Sequence, residues 1–359
     1  MRSAHYGRLS TSYDLLQEVS NSTLGFQKIF VIGLASRTDR RDSMTLAAAY
    51  SGLDIEYVDG VTAISDKAIP PGWASTRQKN GTLYAWRAHM DVLSKIVEQN
   101  LTSALILEDD IDWDIRIKSQ MYDFARAARL LVQPLPGTTD RLLDPTHPRP
   151  RENEGHVDFR LEDQYVVSKP TESPSGDLRR WDLLWLGHCG TRFPRATDGN
   201  VPLGRVVIAD DTVPEPQHLD MVFGNDELSS EYPPHTRIVS RTRVNTCSLA
   251  YGVSQPGARR FLYELGVHGT VGPLDLMLQD VCDGNDEREV ATCLTVQPQL
   301  FQHHRPVGPR AGFSDIDNFG DGYNERATTG NVRWSVRVNF PKLLNGETDY
   351  IDSFPDGTA

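Results

Sequence analysis

The 359-residue sequence has no long apolar segment. A transmembrane helix needs about 20 consecutive apolar residues, and the sequence has no such run. Residues 1–20 also lack the apolar core of a secretory signal peptide. Two interpretations stay open: the protein is soluble inside the cell, or a membrane anchor is missing from this sequence.

Positive charge is in short supply. The chain has 37 Lys and Arg against 49 Asp and Glu, which gives a formal net charge of −12. An acidic chain without a long basic segment argues against nucleic acid as its main partner. It still allows a small anionic ligand that is held by a few local arginines.

Cysteine is scarce, and the four cysteines show no metal-binding spacing. Because no CxxC pair and no Cys/His cluster occurs, a zinc site is not expected. Two alternatives stay open: four buried free thiols, or two disulfides. In the second case we expect the pairs Cys189–Cys247 and Cys282–Cys293.

The N-terminal third of the chain alternates strands with helices. Such strand–helix–strand units form parallel sheets, so residues 27–112 predict a β-α-β-α-β order. Residues 1–26 are polar and predict an irregular N-terminal tail. Apolar runs and helical spacing predict strands and helices in the order 29–34, 39–51, 54–61, 81–98 and 103–108.

Long polar segments interrupt the rest of the chain. Residues 134–180 are rich in Pro and charged residues, which predicts a long insertion without a core of its own. Buried strands are predicted at 181–190 and 247–254, and a helix begins near Pro256. Residues 294–308 predict a last strand that runs into a His-rich loop.

Three carboxylates follow the predicted strand 103–108. Glu108, Asp109 and Asp110 end a buried apolar run, where uncompensated negative charge is costly. Two carboxylates at alternate positions can both approach one hard cation such as Mg²⁺ or Mn²⁺. The alternative is that the acidic residues cap a following helix.

Basic residues follow the first predicted strand. Arg37, Arg40 and Arg41 lie at a strand-to-helix junction, where they could bind an anionic ligand. The alternative is a solvated helix start. Positive charge at a helix N-terminus opposes the helix dipole, which slightly favours the anion site.

Two further positions carry candidate chemistry. His303 and His304 could ligate a metal and Arg305 could bind a phosphate, and the alternative is that the two histidines are simply exposed in a loop. Asp275 stands among apolar residues. It could be a general base with a raised pKa, or equally a helix N-cap.

Taken together, these elements form an ordered pattern over about residues 27–317. The pattern resembles glycosyltransferase family 25, the lipooligosaccharide-type and collagen galactosyltransferases, and its fungal members in particular. Its motifs, in order, are VIxLxxRxDRR, a strand into VDG, Gly81 to HxxVL, ALILEDD, WDLLWLG, SLAYxVSxxGARR, a lone Asp in PLD, and Gln302 to GFSDI.

The resemblance implies a GT-A-like, Rossmann-type α/β fold that binds a nucleotide-sugar. It implies a mostly parallel central sheet with long loop insertions, in one domain over 27–330 with a C-terminal extension over 331–359. The implied reaction is transfer of a hexose, typically galactose from UDP-galactose, to a hydroxyl of a glycan or protein. The implied transfer inverts the anomeric carbon and uses Mn²⁺ or Mg²⁺ as cofactor.

The resemblance also assigns roles to residues. Asp275 would be the base that takes the proton of the acceptor hydroxyl. Asp110 would be the firmer metal ligand and Glu108 the outer one, with His303 and His304 as further candidates. Within the triplet, Asp109 points to the opposite side of an extended chain and is the most structural member. The expected donor-binding residues are Ile32, Leu34, Arg37, Arg40, Asp59, His89, Asp109 and Gln302.

Some features depart from the family pattern and leave alternatives open. Gly33 stands where the family often has Asn, and the insertion 134–180 is longer than in bacterial members. A catalytically inactive binding or scaffold protein is one alternative. A nucleotidyltransferase-like enzyme is another, although no glycine-rich phosphate loop follows the first strand. The sequons at Asn21, Asn80 and Asn100 and the family favour the secretory pathway, while a cytoplasmic location stays open.

Overall fold

A mixed β-sheet forms the centre of the protein. The computed structural model describes residues 14–69, 72–73, 79–220, 226–269 and 272–358. The strands are β1 Lys28–Gly33, β2 Glu56–Asp59, β3 Ser103–Glu108, β4 Ile111–Trp113, β5 Val157–Arg160, β6 Leu183–Gly187, β7 Gly204–Ala209, β8 Thr236–Arg241, β9 Ala250–Ser254, β10 Cys293–Gln297, β11 Phe301–Arg305, β12 Gly308–Pro309, β13 Tyr323–Asn324 and β14 Thr328–Thr329.

Helices cover both faces of this sheet. The helices are α1 Thr38–Ser51, α2 Asn80–Glu98, α3 Ile117–Val132, α4 Glu227–Glu231, α5 Gln255–Leu262, α6 Leu274–Asp283 and α7 Phe340–Leu344. Gly52 ends α1 in the left-handed conformation, with φ +60°, and its N–H donates to the carbonyls of Ala48 and Ala49. None of the described helices combines the length and apolar character that a bilayer crossing requires.

The strand order of the main sheet is β2-β1-β3-β9-β6-β10-β8-β7-β5. Strands β9 and β8 run antiparallel to both of their neighbours, whereas the remaining pairs along this path are parallel. The sheet is therefore mixed but mostly parallel in direction. Together with the flanking helices, this arrangement confirms the predicted α/β, Rossmann-like GT-A class.

The core lies in two layers, one on each face of the sheet. In β3, Leu105 and Leu107 pack into the layer that contains α1 and α3. Ala104 and Ile106 pack into the layer that contains α2, α5 and α6. Since both faces are covered, the strand reads as a continuous apolar run, as expected for an inner strand of such a sheet.

The ends of the chain differ from the sequence-based expectation. Among residues 14–26, Val19, Leu24 and Phe26 are buried in the core, so this described segment is packed rather than a free polar tail. The C-terminal segment also packs into the protein, because Ser335 and Asn339 are completely buried. The insertion 134–180 contributes β5, which pairs with β7 at the end of the main strand order.

The polar end of the segment 294–308 also differs from the prediction. Instead of one strand and a loop, it forms β10 and β11, which are separated at Pro298. Strand β11 pairs with β14 and with β4, a three-residue strand that the sequence did not predict. His303 and His304 therefore lie on a strand and not in a loop.

The four cysteines form two disulfides, which resolves the alternative that the sequence left open. The pairs are Cys189–Cys247 and Cys282–Cys293. The first pair joins the segment after β6 to the segment before β9, beside the candidate site described below.

Candidate metal and anion site

The candidate site lies at the turn between β3 and β4. Glu108 is the last residue of β3, and Asp110 precedes β4. Strand β11 pairs antiparallel with β4, and this pairing places His303 opposite Ile111. As a result, one ligand atom from each of Glu108, Asp110 and His303 lies within 4.8 Å of the other two.

Strand alternation separates the two histidines. Successive side chains of a strand point to opposite faces, so only one of the pair can face Asp110. His304 lies on the other side, where its Nδ1 is 2.9 Å from Thr329 Oγ1 and 3.6 Å from Asp112 Oδ2. Gln302 is buried, and its side chain accepts a hydrogen bond from the His303 backbone N–H. The structure thus brings His303, and neither His304 nor Gln302, to the two carboxylates.

The two carboxylates respond differently to burial. Burial and the nearby charge of Asp110 raise the pKa of Glu108 to about 8, against the hydrogen bond from Ser248. Burial also opposes ionisation of Asp110, but His303, Arg40 and Arg305 outweigh it and hold the pKa of Asp110 below its usual value. Asp110 is therefore the better ionised ligand at neutral pH.

The residues present fit a divalent metal ion. The buried Oδ1 of Asp110 has no hydrogen-bond partner in the described part of the chain, an arrangement that is costly without a ligand. Burial lowers the pKa of His303, which favours the neutral imidazole that a metal requires. Two carboxylates and one imidazole suit Mn²⁺ or Mg²⁺, with open positions for a substrate.

Buried polar groups contact the Glu108 carboxylate. Ser248 Oγ donates to Glu108 Oε1 at 2.8 Å, and His89 Nε2 lies 3.8 Å from the same oxygen. The other ring nitrogen of His89 is 2.9 Å from the Tyr251 hydroxyl. Burial lowers the pKa of His89 to about 3, so this imidazole is neutral. His89, which was expected to bind the donor, lies under Glu108 and is 3% exposed.

Asp109 points away from the metal-ligand cluster, towards β1 and α1. Its Oδ1 accepts a hydrogen bond from Arg40 Nη1 at 2.8 Å. A Cβ atom at Gly33 would come within 2.1 Å of Asp109 Oδ2, so only glycine fits beside this carboxylate. Burial raises the pKa of Asp109 to about 6, although Arg40 opposes the shift. Asp109 therefore acts here as a partner of Arg40.

The remaining residues that were expected to bind the nucleotide-sugar surround the ends of β1 and β2. Ile32 is almost buried, whereas Leu34 is partly exposed. Asp59 is exposed and pairs with Arg41. Arg37 forms an ion pair with Asp39 at 2.8 Å and another with Asp315 at 2.6 Å. These residues lie at the carboxyl edge of the parallel strands, where open α/β sheets bind ligands.

Two further arginines belong to this site, of which the sequence pattern indicated only Arg305. Arg305, on β11, lowers the pKa of Asp110 through its charge, as does Arg337. The Arg337 guanidinium is buried and donates to the Asp109 carbonyl at 3.0 Å. Together with Arg40, they surround Asp110 with positive charge. Arg305 had a signal in the motif QHHR, whereas nothing in the local sequence marked Arg337.

Asp275 lies in the first turn of α6 and is not its N-cap, which is Pro273. Its Oδ2 accepts a hydrogen bond from the Cys247 backbone N–H at 2.7 Å. The next residue, Ser248, contacts Glu108, so two adjacent residues connect Asp275 with the metal-ligand cluster. The disulfide partner Cys189 also borders the cluster, with its Sγ 4.0 Å from His303 Nδ1.

Comparison with known proteins finds similarity to a family of glycosyltransferases. Residues 26–131 match the family described as "Glycosyltransferase family 25 (LPS biosynthesis protein)". The matched region contains β1 to β4, α1 to α3 and the Glu108–Asp110 turn. The resemblance to glycosyltransferase family 25 that the sequence motifs predicted is confirmed over this region.

The similar proteins match over a limited length. A "Glycosyltransferase 25 family member" of Anopheles gambiae is 29% identical over 140 residues, which is 34% of this chain and 24% of that protein. "Procollagen galactosyltransferase 2" of Homo sapiens is 23% identical over 111 residues, 27% of this chain and 18% of that protein. "Inactive glycosyltransferase 25 family member 3" of Homo sapiens is 28% identical over 114 residues, 28% and 19% of the two chains. The match thus spans about a quarter or less of these relatives' length.

Proposed function

We propose that this protein is a metal-dependent, inverting glycosyltransferase that transfers a hexose from a UDP-sugar to a hydroxyl acceptor. Galactose is the proposed sugar, because similar proteins carry the name galactosyltransferase. The observation that carries the proposal is the cluster of Glu108, Asp110 and His303 at the carboxyl edge of the sheet. The orphaned Asp110 oxygen gives this cluster a physical need for a cation.

In this proposal the acidic residues of the site hold the metal ion, and the arginines bind the diphosphate. Glu108, Asp110 and His303 would hold Mn²⁺ or Mg²⁺, which neutralises charge on the leaving diphosphate when bound. Arg40 and Arg305 lie beside the same carboxylate and would bind diphosphate oxygens, while the buried Arg337 adds positive charge. This arrangement favours the departure of UDP because positive charge is fixed where negative charge develops.

Asp275 is the proposed general base. The Cys247 N–H fixes one of its oxygens and thereby orients the carboxylate, and the other oxygen would take the proton. The base takes the proton from the acceptor hydroxyl as that oxygen bonds to C1 of the sugar and the C1–O bond to UDP breaks. Attack from the face opposite the leaving group inverts the anomeric carbon.

The test is a panel of UDP-sugars with Mn²⁺, with release of UDP and the glycosylated product as the readouts. We expect turnover with one sugar, no turnover after chelation, and a loss of about 10²- to 10⁴-fold in kcat for Asp275→Asn. Asp275→Asn should still bind UDP, because the Asp275 carboxylate does not contact UDP in this proposal. Pyrophosphate as product would instead indicate a nucleotidyltransferase.

A second candidate function is non-catalytic binding. One similar human protein is named inactive, and its match covers 28% of this chain. In that case UDP-sugar binding without turnover would be observed for the wild type. Asp275→Asn would then leave the protein's behaviour unchanged, and this result separates the two candidates.

A further inference from the structure

A segment between β11 and β14 crosses the site next to Arg37 and Arg40. We name residues 308–320 the strap. Its base is fixed, because Asn324 Nδ2 donates to the carbonyls of Arg305 and Pro306 at 3.0 and 2.8 Å. Glycines with positive φ stand at both of its ends: Gly308 at +137° and Gly320 at +80°. Among the described residues, a Cβ atom at either glycine would meet no neighbour within 4 Å, and the Gly308 end is held by the pairing of β12 with β13.

The strap contacts the domain through a buried Phe313, through Ile316 beside Gly81, and through a set of charged and polar groups. Asp315 Oδ2 lies 2.6 Å from Arg37 Nη1 and 3.9 Å from Arg40 Nη1. Lys79 Nζ is 3.3 Å from Asp317 Oδ1. The strap carbonyls of Gly312 and Phe313 accept hydrogen bonds from Arg37 and Arg40 at 3.0 and 2.9 Å.

In this position of the strap, most N–H groups of Arg37 and Arg40 are already engaged and are not free to bind a phosphate. An arginine side chain has five N–H groups. Arg37 directs two at Asp39, one at Asp315 and one at Gly312, so four are engaged. Arg40 donates to Asp109 and to Phe313 and also lies 3.4 Å from Asp110. A diphosphate cannot gain full contact with Arg37 while the strap keeps this position.

We propose that Asp315 is a built-in competitor for phosphate oxygens, and that the strap leaves Arg37 and Arg40 when a nucleoside diphosphate binds. The Asp315 carboxylate oxygen lies between two guanidinium groups, as a bridging phosphate oxygen would. A ligand with several negative charges replaces it, whereas a neutral nucleoside does not. Because of Asp315, only a ligand with enough negative charge can bind to Arg37 and Arg40. This inference rests on the proposed function, which supplies the diphosphate.

The test compares UDP binding by the full-length chain and two variants. Asp315→Asn removes the competing charge but keeps the shape of the side chain. Asp321→Asn is the matched control, because it removes the same charge from an exposed residue just beyond the strap. Calorimetric titration with UDP in the presence of Mn²⁺ gives each Kd. We expect Asp315→Asn to bind UDP about threefold to tenfold more tightly than the wild type, and Asp321→Asn to match the wild type.

Hydrogen exchange of the strap gives a second measurement. We expect exchange over residues 309–317 to increase when UDP binds, because the ion pairs with Arg37 and Arg40 are broken. If the wild type binds UDP but Asp315→Asn binds equally or more weakly, the inference is overturned and the proposed function stands. Equal gains for both variants, or increased protection of the strap by UDP, overturn it as well. If no variant binds UDP, the proposed function fails and the inference fails with it.

Discussion

Two Asp–His pairs lie side by side where β4 meets β11, and their surroundings differ. Asp110 and His303 face the open side together with Glu108, and the buried Oδ1 of Asp110 has no hydrogen-bond partner among the residues that the structure describes. Asp112 and His304 face the closed side. Asp112 is fully buried, and its carboxylate accepts hydrogen bonds from the Thr329 and Ser335 hydroxyls and from backbone N–H groups of residues 113 and 337.

The difference separates a structural carboxylate from a ligand-binding one. A buried charge with all of its oxygens engaged stabilises the fold and has no capacity left for a metal. A buried carboxylate oxygen without a hydrogen-bond donor keeps a position free for a ligand, even where nearby arginines compensate the charge of the group. Both pairs consist of the same residue types in neighbouring positions, so local sequence does not distinguish them, whereas hydrogen bonding does.

The largest expected effect is on the closed side. Asp112→Ala removes the acceptor for Thr329, Ser335 and Arg337 N–H and leaves these donors buried and unpaired. We expect the free energy of unfolding to fall by about 3–5 kcal/mol, measured by urea denaturation of the metal-free protein. Asp211→Ala, at an exposed carboxylate that pairs with Arg116, should change it by less than about 1 kcal/mol. Equal effects of the two variants would show that Asp112 is not a structural anchor.

The next effect contrasts the two histidines. His303→Asn removes a proposed ligand, so the Kd for Mn²⁺ should rise by at least about 10-fold. His304→Asn keeps an amide N–H near the position of Nδ1, which contacts Thr329, and should leave the Kd for Mn²⁺ unchanged. Titration of the chain with Mn²⁺, followed by electron paramagnetic resonance, measures both values. A larger loss of affinity in His304→Asn would reverse the assignment.

The smallest expected effect is a pH dependence of stability on the closed side. Burial lowers the pKa of His304 to about 4, and the charges of Arg337 and Arg305 add to the shift while Asp112 opposes it. Below the usual pKa of about 6.5, the unfolded chain binds a proton at this residue and the folded chain does not, so stability falls as the pH drops from about 6.5 towards 4.

At pH 5.5 this histidine should lower the stability of the wild type by about 1 kcal/mol relative to pH 7.5. Other buried histidines add to the total slope. The comparison is therefore between the wild type and His304→Asn, which lacks the titrating group. Denaturation at both pH values should show a smaller loss in the variant. If the two proteins lose the same stability, the His304 imidazole is not held neutral by burial.

Sequence predicted one half of this site well. The run over 103–108 became β3 at its predicted bounds, because an apolar segment that is buried on both faces leaves a clear pattern. Glu108 and Asp110 could be found for the same reason, since they follow directly from that strand. The helix α1 and its Gly52 terminus were equally local features.

The other half depends on contacts between distant residues. Which histidine faces Asp110 depends on the pairing of β11 with β4, a strand too short to show a pattern. Asp112 meets Ser335, a residue more than 200 positions away in the sequence. The cysteine pairing also stayed open, because spacing alone allowed free thiols. These features follow from tertiary packing, and local residue patterns do not predict them.

The most direct test of the account is Mn²⁺ binding by Asp110→Asn in the presence of UDP. Asn keeps the size of the side chain but removes the charge that the orphaned oxygen carries. We predict one Mn²⁺ site in the wild type, a Kd for Mn²⁺ at least about 100-fold weaker in Asp110→Asn, and cooperative urea unfolding of the metal-free variant, which shows that it is folded. Wild-type affinity for Mn²⁺ in Asp110→Asn would contradict the assignment of Glu108, Asp110 and His303 as the metal site.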